Sequence, residues 1–142
     1  KNIHSGLALA RQLEYTLIDL LLHADESATA GLSVQEIINT VRKNIGVIPI
    51  PEFNKFQNTF SHIFAGGYEA GYYSYLWAEV LSCDAFEKFR SAGLFEIQVG
   101  KQYHEQILEL GGSKPAMDLF VAFAGREPKV DALLRHHVIT DV

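Results

Sequence analysis

Four tyrosines, one histidine and a pair of glycines lie within the fourteen residues from His62 to Tyr75. Tyr68, Tyr72 and Tyr75 are spaced i, i+4 and i+7, so on a helix they would share one face. Glu79, at i+11, would extend that face. A phenol has an unperturbed pKa near about 10 and is therefore a neutral hydrogen-bond donor at pH 7. A row of such donors beside a flexible glycine pair predicts a surface that holds a polar substrate.

The same spacing is also typical of an amphipathic helix whose tyrosine rings pack against a neighbour while their hydroxyls stay hydrated. The residues alone leave both interpretations open. Trp77, Tyr73 and Val80 fall on other faces of the predicted helix and are expected to be core residues. Glu79 is expected to face solvent or to make a structural hydrogen bond.

The sequence contains no complete catalytic or metal-binding motif. The segment from His104 to Leu108 begins like H-E-x-x-H, but leucine stands where a second histidine would be needed to bind zinc. His136 and His137 are adjacent and would point about 100° apart on a helix, which does not suit a shared ion. Cys83 has no motif partner and is predicted to be a small core residue. Neither a G-x-S-x-G elbow nor a glycine loop ending in G-K-[ST] is present.

The composition is that of an ordinary globular protein. The 142 residues suit one helical domain, predicted over 1–142, and 48% of them are hydrophobic and 20% charged. The net charge of −5 at pH 7 disfavours binding to nucleic acid or to an anionic membrane surface. The longest apolar run, Leu17 to Leu22, is interrupted by Asp19 and is too short to span a bilayer.

The cysteine content and the first residues give two further expectations. The single cysteine, Cys83, excludes an internal disulfide and fits a reducing compartment, so we expect a cytoplasmic location. The chain opens with Lys1 rather than methionine, which we interpret as the start of a piece of a longer protein.

Helical spacing of apolar residues predicts an all-α bundle of about six or seven helices. Ser33 and Glu36 form a predicted capping box, and Pro49 and Pro51 predict an extended connector. A break at the glycine pair precedes a long helix that is predicted to begin at Tyr68. The predicted helices span about 9–22, 34–45, 53–60, 68–89, 101–110, 114–124 and 130–137, the sixth with Ser113 as its N-cap.

The segment from His62 to Val80, HIFAGGYEAGYYSYLWAEV, resembles the C-terminal part of the thimet oligopeptidase family of zinc metallopeptidases. The resemblance extends over roughly residues 15 to 139, and the tyrosine block is its most specific part. Further segments that carry it are Ser82–Phe86, Ile107-Leu108 with Gly111-Gly112-Ser113, Phe123–Pro128 and Ala132–Leu134.

Members of that family are largely helical, zincin-like peptidases that cleave short peptides in a deep channel between two domains. Their zinc ligands come from an H-E-x-x-H helix and a downstream glutamate, both upstream of the part that this chain resembles. The resemblance implies that residues 1–142 are the C-terminal portion of such a catalytic region, without metal ligands and inactive alone. The full-length protein is expected to be a monomeric zinc enzyme acting on short peptides, whereas the isolated chain is expected to self-associate.

The resemblance also implies roles for individual residues. Tyr68 and Tyr75 match tyrosines that face the substrate across the cleft from zinc, and they are the predicted catalytic residues. His62, Tyr72 and the Gly66–Gly67 pair are predicted to bind substrate, with the glycines as a hinge for Tyr68. The alternative is a non-enzymatic helical module that uses the same tyrosines to bind a peptide or a partner helix.

Overall fold

The computed structural model describes residues 3–24, 29 and 31–137, and in these ranges it contains helices and turns but no strand. The predicted all-α fold class is therefore confirmed. None of the helices in these ranges is long and apolar enough to cross a membrane. The loop predicted over residues 26–31 lies mostly outside the described residues. The helices are α1 (Ser5–Leu22), α2 (Val34–Ile45), α3 (His62–Ala65), α4 (Ser74–Ala92), α5 (Ile97–Tyr103), α6 (Ala116–Ala124) and α7 (Asp131–His136).

The chain divides into two compact units, residues 1–76 and 77–142. In the first unit α1 packs against α2. The single domain expected over 1–142 stays a prediction. The core of the first unit consists of Ile18, Ile38, Val41, Phe60, Ile63 and Tyr72.

Helix α1 directs two carboxylates inward and three of its leucines outward. Leu13, Leu17 and Leu20 are 41%, 39% and 39% exposed, whereas Glu14 and Asp19 are 4% and 0% exposed. A buried carboxylate requires hydrogen-bonding partners. Nε of Arg42, on α2, lies 2.9 Å from Oε1 of Glu14 and supplies one. The helical spacing of apolar residues thus predicted the helix but not the burial of these two carboxylates.

Helix α2 begins as its sequence predicts. The Ser33 hydroxyl accepts a hydrogen bond from the Glu36 amide, and the Glu36 carboxylate accepts one from the Ser33 amide at 2.8 Å. This reciprocal capping satisfies amide groups that a helix start leaves unpaired. The capping box is confirmed.

The second unit packs around aromatic rings and one buried ion pair. The ring of Tyr103 lies edge-on to Phe89 and Phe123, with centroid distances of 5.7 and 5.3 Å. Asp84, on α4, is buried and accepts hydrogen bonds from both terminal nitrogens of Arg126, at 2.6 and 2.7 Å. Arg126 follows α6, so this pair links α4 to the segment between α6 and α7.

Several predicted elements are wrong in their ends or length, and local interactions explain three of these differences. The helix predicted over 53–60 is reduced to the 3₁₀ turn Phe56–Asn58, where the Asn54 side chain accepts the Phe56 amide at 3.2 Å. Helix α5 begins at Ile97 instead of residue 101, because the Glu96 side chain caps it, and it continues as a π-helical turn over His104–Leu108. Ser113 is not the N-cap of α6.

Proline explains that last difference. The residue before a proline is biased towards extended backbone. Lys114 accordingly has φ −137° and ψ 160°, and Pro115 takes the N-cap position without a side-chain cap. The helix therefore begins at Ala116.

Side chains of α4 and the preceding turn are more exposed than predicted. Trp77 and Tyr73, expected in the core, are 46% and 48% exposed. Val80 and Cys83 are half-buried. Burial raises the pKa of the Cys83 thiol, and nearby carboxylates add to this effect. The cysteine is thus held as a neutral thiol.

Candidate functional site

The tyrosine segment is a series of tight turns followed by α4, not one continuous helix. The Gly71 amide donates to the Tyr68 carbonyl at 2.9 Å, and the Ser74 amide donates to the Gly71 carbonyl at 3.0 Å. Helix α4 begins only at Ser74. The helix predicted to start at Tyr68 is therefore wrong at its N-terminal end, and the shared helical face does not exist in that form.

A left-handed residue explains why the helix starts late. Ala70 has φ 56°, a conformation that costs roughly 1–2 kcal/mol for a residue with a side chain. The Ala70 amide donates to Oδ1 of Asp19 at 3.0 Å, and the Tyr72 amide donates to Oδ2 at 2.9 Å. Two backbone amides that converge on one anion are a known stabilising arrangement for such turns. Asp19 therefore holds the segment in a non-helical shape.

The glycine pair is required by the backbone at this point. A Cβ atom on Gly66 would lie 2.7 Å from Cα and 2.8 Å from the carbonyl oxygen of His62. Gly67 has φ +79°, a conformation that favours glycine. The Tyr68 amide then donates to the His62 carbonyl at 3.2 Å. The two glycines thus turn the chain tightly from α3 to Tyr68.

The rings that the helical spacing singled out do come together, although by a different route. Tyr68 and Tyr75 are stacked with their centroids 5.1 Å apart, and Tyr72 lies 5.1 Å from Tyr75. The His62 ring lies 6.0 Å from that of Tyr68. Tyr68 and Tyr75 are 36% and 43% exposed, and His62 is also exposed. These four residues form one aromatic cluster, called the phenol cluster below, with a solvent-facing edge.

Tyr72 differs from the other members of the phenol cluster because it is a core residue. It is 8% exposed, and its ring packs edge-on against Phe60 and Tyr15 at 5.2 and 5.8 Å. Its hydroxyl donates to Oε1 of Gln12 at 3.2 Å. Burial, with a smaller contribution from Tyr15, raises the pKa of Tyr72. Tyr72 thus forms the buried floor of the cluster.

Tyr75 is held in its neutral form by its neighbours. A side-chain hydrogen bond with Tyr68 is the largest cause that raises the pKa of Tyr75. Partial burial and the nearby phenols of Tyr68 and Tyr72 raise it further. A phenol with a raised pKa remains protonated, and so remains a hydrogen-bond donor, throughout the neutral range. Each phenol has one hydrogen to donate, so a polar ligand at the exposed edge can accept from Tyr68, and from Tyr75 when the bond between the two tyrosines is exchanged for one with the ligand.

No group of three histidine, cysteine, aspartate or glutamate side chains within residues 3–24, 29 and 31–137 could hold a metal ion. His104, from the incomplete H-E-x-x-H motif, is exposed and lies 3.3 Å from the carboxylate of Glu109. Glu79 pairs instead with Nε2 of His137 at 2.9 Å, the structural hydrogen bond that was one of its two expected roles. The described residues alone therefore do not fit a metal centre.

Sequence reasoning missed two residues that support the phenol cluster, Asp19 and Gln12. Asp19 could have been found from the sequence, because it interrupts the apolar run from Leu17 to Leu22. A carboxylate buried in such a run needs a hydrogen-bonding partner. No feature of the sequence indicated a role for Gln12, since a glutamine on a helix is ordinarily a solvent-facing residue.

Comparison with known proteins gives one consistent result. The model of Peptidase family M3 matches residues 1–139. Oligopeptidase A of Escherichia coli (strain K12) is 47% identical over 139 residues, which cover 98% of this chain and 20% of that protein. From Arabidopsis thaliana, probable cytosolic oligopeptidase A and organellar oligopeptidase A, chloroplastic/mitochondrial, are each 44% identical over 142 residues. These alignments cover 96% of this chain and 20% and 18% of the two proteins.

The chain thus spans about a fifth of the length of the curated relatives that it matches. The family match covers far more than half of the 142 residues, and it agrees with the resemblance carried by the tyrosine block. The chain belongs to peptidase family M3.

Proposed function

We propose that this chain is the C-terminal part of a zinc metallo-oligopeptidase and forms a wall of its substrate cleft. In this role Tyr68 and Tyr75 are catalytic residues that donate hydrogen bonds to the oxyanion formed during peptide hydrolysis. The observation that carries the proposal is the stacked, solvent-facing Tyr68–Tyr75 pair, whose hydrogen bond raises the pKa of Tyr75. Membership of a peptidase family supports it.

The chemistry requires donors of this kind. Attack of water on a peptide carbonyl places negative charge on the carbonyl oxygen, and donors already aimed at that position stabilise the transition state. One such donor is worth about 3–4 kcal/mol, roughly a hundredfold to a thousandfold in kcat. Tyr68 and Tyr75 can supply donors because each side chain ends in a phenolic O–H group.

The remaining members of the site are proposed to bind substrate. His62 is exposed beside Tyr68, so its ring can contact a peptide that lies along the cluster. Tyr72 forms the floor. Gly66 and Gly67 would act as a hinge that moves Tyr68 onto bound peptide, as loops over active sites commonly do.

The zinc ion of this proposal has no ligand set among the described residues. Its ligands would come from parts of the full-length protein outside this chain. We therefore propose that the isolated 142 residues are inactive, and no catalytic step is assigned to a metal held by them.

The names of the relatives support the substrates and the location proposed for this protein. Several are oligopeptidases, which supports short peptides as the substrates of this protein. One is named cytosolic and another organellar, and we propose a cytoplasmic location for this protein. The full-length enzyme is proposed to act as a monomer.

Substitution of Tyr75 in the full-length peptidase tests the proposal. Tyr75→Phe removes one hydroxyl and should lower kcat by about a hundredfold, with a smaller effect on KM, because the lost hydrogen bond forms mainly in the transition state. Tyr73→Phe is the matched control, since Tyr73 is a neighbouring exposed phenol outside the phenol cluster. Equal kcat values for the two variants would remove Tyr75 from the mechanism.

A non-enzymatic peptide-binding module is the second candidate, favoured by the solvent-facing edge of the phenol cluster, where aromatic rings and hydroxyls could contact a peptide. Tight peptide binding by the 142 residues without any metal would support it. Peptide hydrolysis that requires both the rest of the protein and a metal would support the enzyme.

A further inference from the structure

Asp19 is a fully buried carboxylate that accepts hydrogen bonds from the Ala70 and Tyr72 amides, in the turn that connects Tyr68 to Tyr75. We propose that Asp19 is a positioning residue of the peptidase, which fixes the turn that places Tyr68 and Tyr75 side by side. This proposal rests on the catalytic function proposed for those two tyrosines.

Both oxygens of the carboxylate face hydrogen-bond donors. Oδ1 accepts from the Ala70 amide at 3.0 Å and lies 2.9 Å from Nδ1 of His23, while Oδ2 accepts from the Tyr72 amide at 2.9 Å. Nδ1 of His23 also lies 2.9 Å from the Asp19 carbonyl, so it faces two acceptors and carries the hydrogen. An asparagine at position 19 would have to direct its NH₂ group at one of these donors.

Through the turn, the hydrogen bonds of Asp19 restrict the positions of both Tyr68 and Tyr75. Ala70, held left-handed by Asp19, lies two residues after Tyr68, and the Gly71 amide donates to the Tyr68 carbonyl at 2.9 Å. On the other side, the Tyr72 ring lies 5.1 Å from that of Tyr75. Release of the turn would therefore displace both rings, and misplacement of about 1 Å can cost roughly a hundredfold in rate.

Helix α1 contains a matched control. Glu14 is also buried, but its carboxylate contacts Arg42 at 2.9 Å and Arg11 at 3.2 Å rather than the tyrosine turn. Glu14→Gln thus disturbs a buried carboxylate of the same helix and leaves the hydrogen bonds to Ala70 and Tyr72 in place. It separates a positioning effect from a general loss of stability.

The first measurement is a mutant cycle in the full-length peptidase with a short peptide substrate. Asp19→Asn should lower kcat by about tenfold or more, but by less than about twofold when Tyr68 and Tyr75 are already phenylalanine. Any effect of Glu14→Gln should be the same factor in both backgrounds. An equal loss from Asp19→Asn in both backgrounds would overturn the positioning role.

The second measurement is amide hydrogen exchange in the same variants. Asp19→Asn should accelerate exchange across residues 68–75, whereas Glu14→Gln should not. Unchanged exchange there overturns the role of Asp19 alone, even when Tyr75→Phe lowers kcat as proposed. A full kcat for the double tyrosine variant overturns the proposed function and the positioning role together.

If Asp19→Asn does not fold, Asp19→Glu serves in both measurements. It keeps the charge and shifts the acceptor oxygens by one methylene, so the same non-additive loss of kcat and the same faster exchange are expected. An additive loss, or unaltered exchange, rejects the proposal.

Discussion

The hydroxyl of Tyr72 donates a hydrogen bond to Oε1 of Gln12 at 3.2 Å, which joins the tyrosine turn to α1 across 60 positions of sequence. This bond gives Tyr72 a structural role in the core, whereas Tyr68 and Tyr75 are partly exposed to solvent. Two phenols of the same cluster, Tyr72 and Tyr75, thus have different roles although their rings lie 5.1 Å apart.

The difference predicts opposite effects of two identical substitutions. Tyr72→Phe should lower the free energy of unfolding by about 1 kcal/mol, because it removes one buried hydrogen bond, and should lower kcat far less than Tyr75→Phe does. Urea unfolding and steady-state kinetics measure the two effects. Gln12→Leu provides the control, since the double variant should lose less stability than the sum of the single variants. Additive losses would mean that the bond does not contribute.

The glycine pair gives a second prediction about stability. Gly66→Ala would place a Cβ 2.7 Å from Cα of His62, and Gly67→Ala would hold an alanine at φ +79°, so each should destabilise the chain by about 1–3 kcal/mol. At Gly71 a Cβ would lie 3.6 Å from the Tyr68 carbonyl oxygen, an ordinary van der Waals contact. Gly71→Ala should therefore be nearly neutral in thermal unfolding. A similar loss at all three positions would contradict this account.

The phenol cluster shows what the sequence could predict. The i, i+4, i+7 spacing identified the right tyrosines, because residues close in sequence remain close in tight turns as well as in a helix. It could not predict the turns, since their shape depends on Asp19, more than fifty positions away. The prediction that Tyr68, Tyr72 and Tyr75 share one helical face was wrong for that reason.

The same limit applies to the helices. The Ser33–Glu36 capping box was predictable, because both residues of a capping box lie within four consecutive positions of the sequence. The inner face of α1 was not, since the burial of Glu14 depends on Arg42, 28 positions later. The capped start of α2 follows from neighbouring residues, whereas the buried side of α1 depends on a partner elsewhere in the chain.

Acid should weaken the second unit through Asp84. The pKa of Asp84 is lowered chiefly by its hydrogen bonds with Arg126, with a further contribution from the Lys129 amide at 2.8 Å. A lowered pKa means that the carboxylate stabilises the fold above its unfolded pKa of about 3.9, and that this contribution is lost as pH falls through the folded value. Asp84→Asn should cost about 2 kcal/mol at pH 7 and progressively less below about pH 4.

Urea unfolding across pH 2–8 measures this dependence. The exposed Asp118→Asn on α6 is the control, and it should change stability by less than about 0.5 kcal/mol at pH 7. A cost of Asp84→Asn that stays constant down to pH 2 would show that the ion pair does not contribute through its charge.

The outward leucines of α1 predict self-association of the isolated chain. Leu13, Leu17 and Leu20 are spaced i, i+4 and i+7 and are each about two-fifths exposed, so they form an apolar ridge that water contacts. Sedimentation velocity should show the average mass rising with concentration. Leu17→Gln should reduce this rise, whereas Leu94→Gln, at a 55% exposed position of the second unit, should not.

Loss of association in Leu17→Gln cannot be attributed to unfolding of α1 if helicity by circular dichroism is unchanged. An exposed leucine makes few core contacts, and glutamine has a similar helix propensity, so the helix should persist. If Leu94→Gln reduced self-association equally, the association would be due to non-specific contacts of exposed apolar side chains rather than to the ridge on α1. A monomer at every concentration would show that the ridge alone is too small to hold two copies together, since stable interfaces bury about 1,200–2,000 Å².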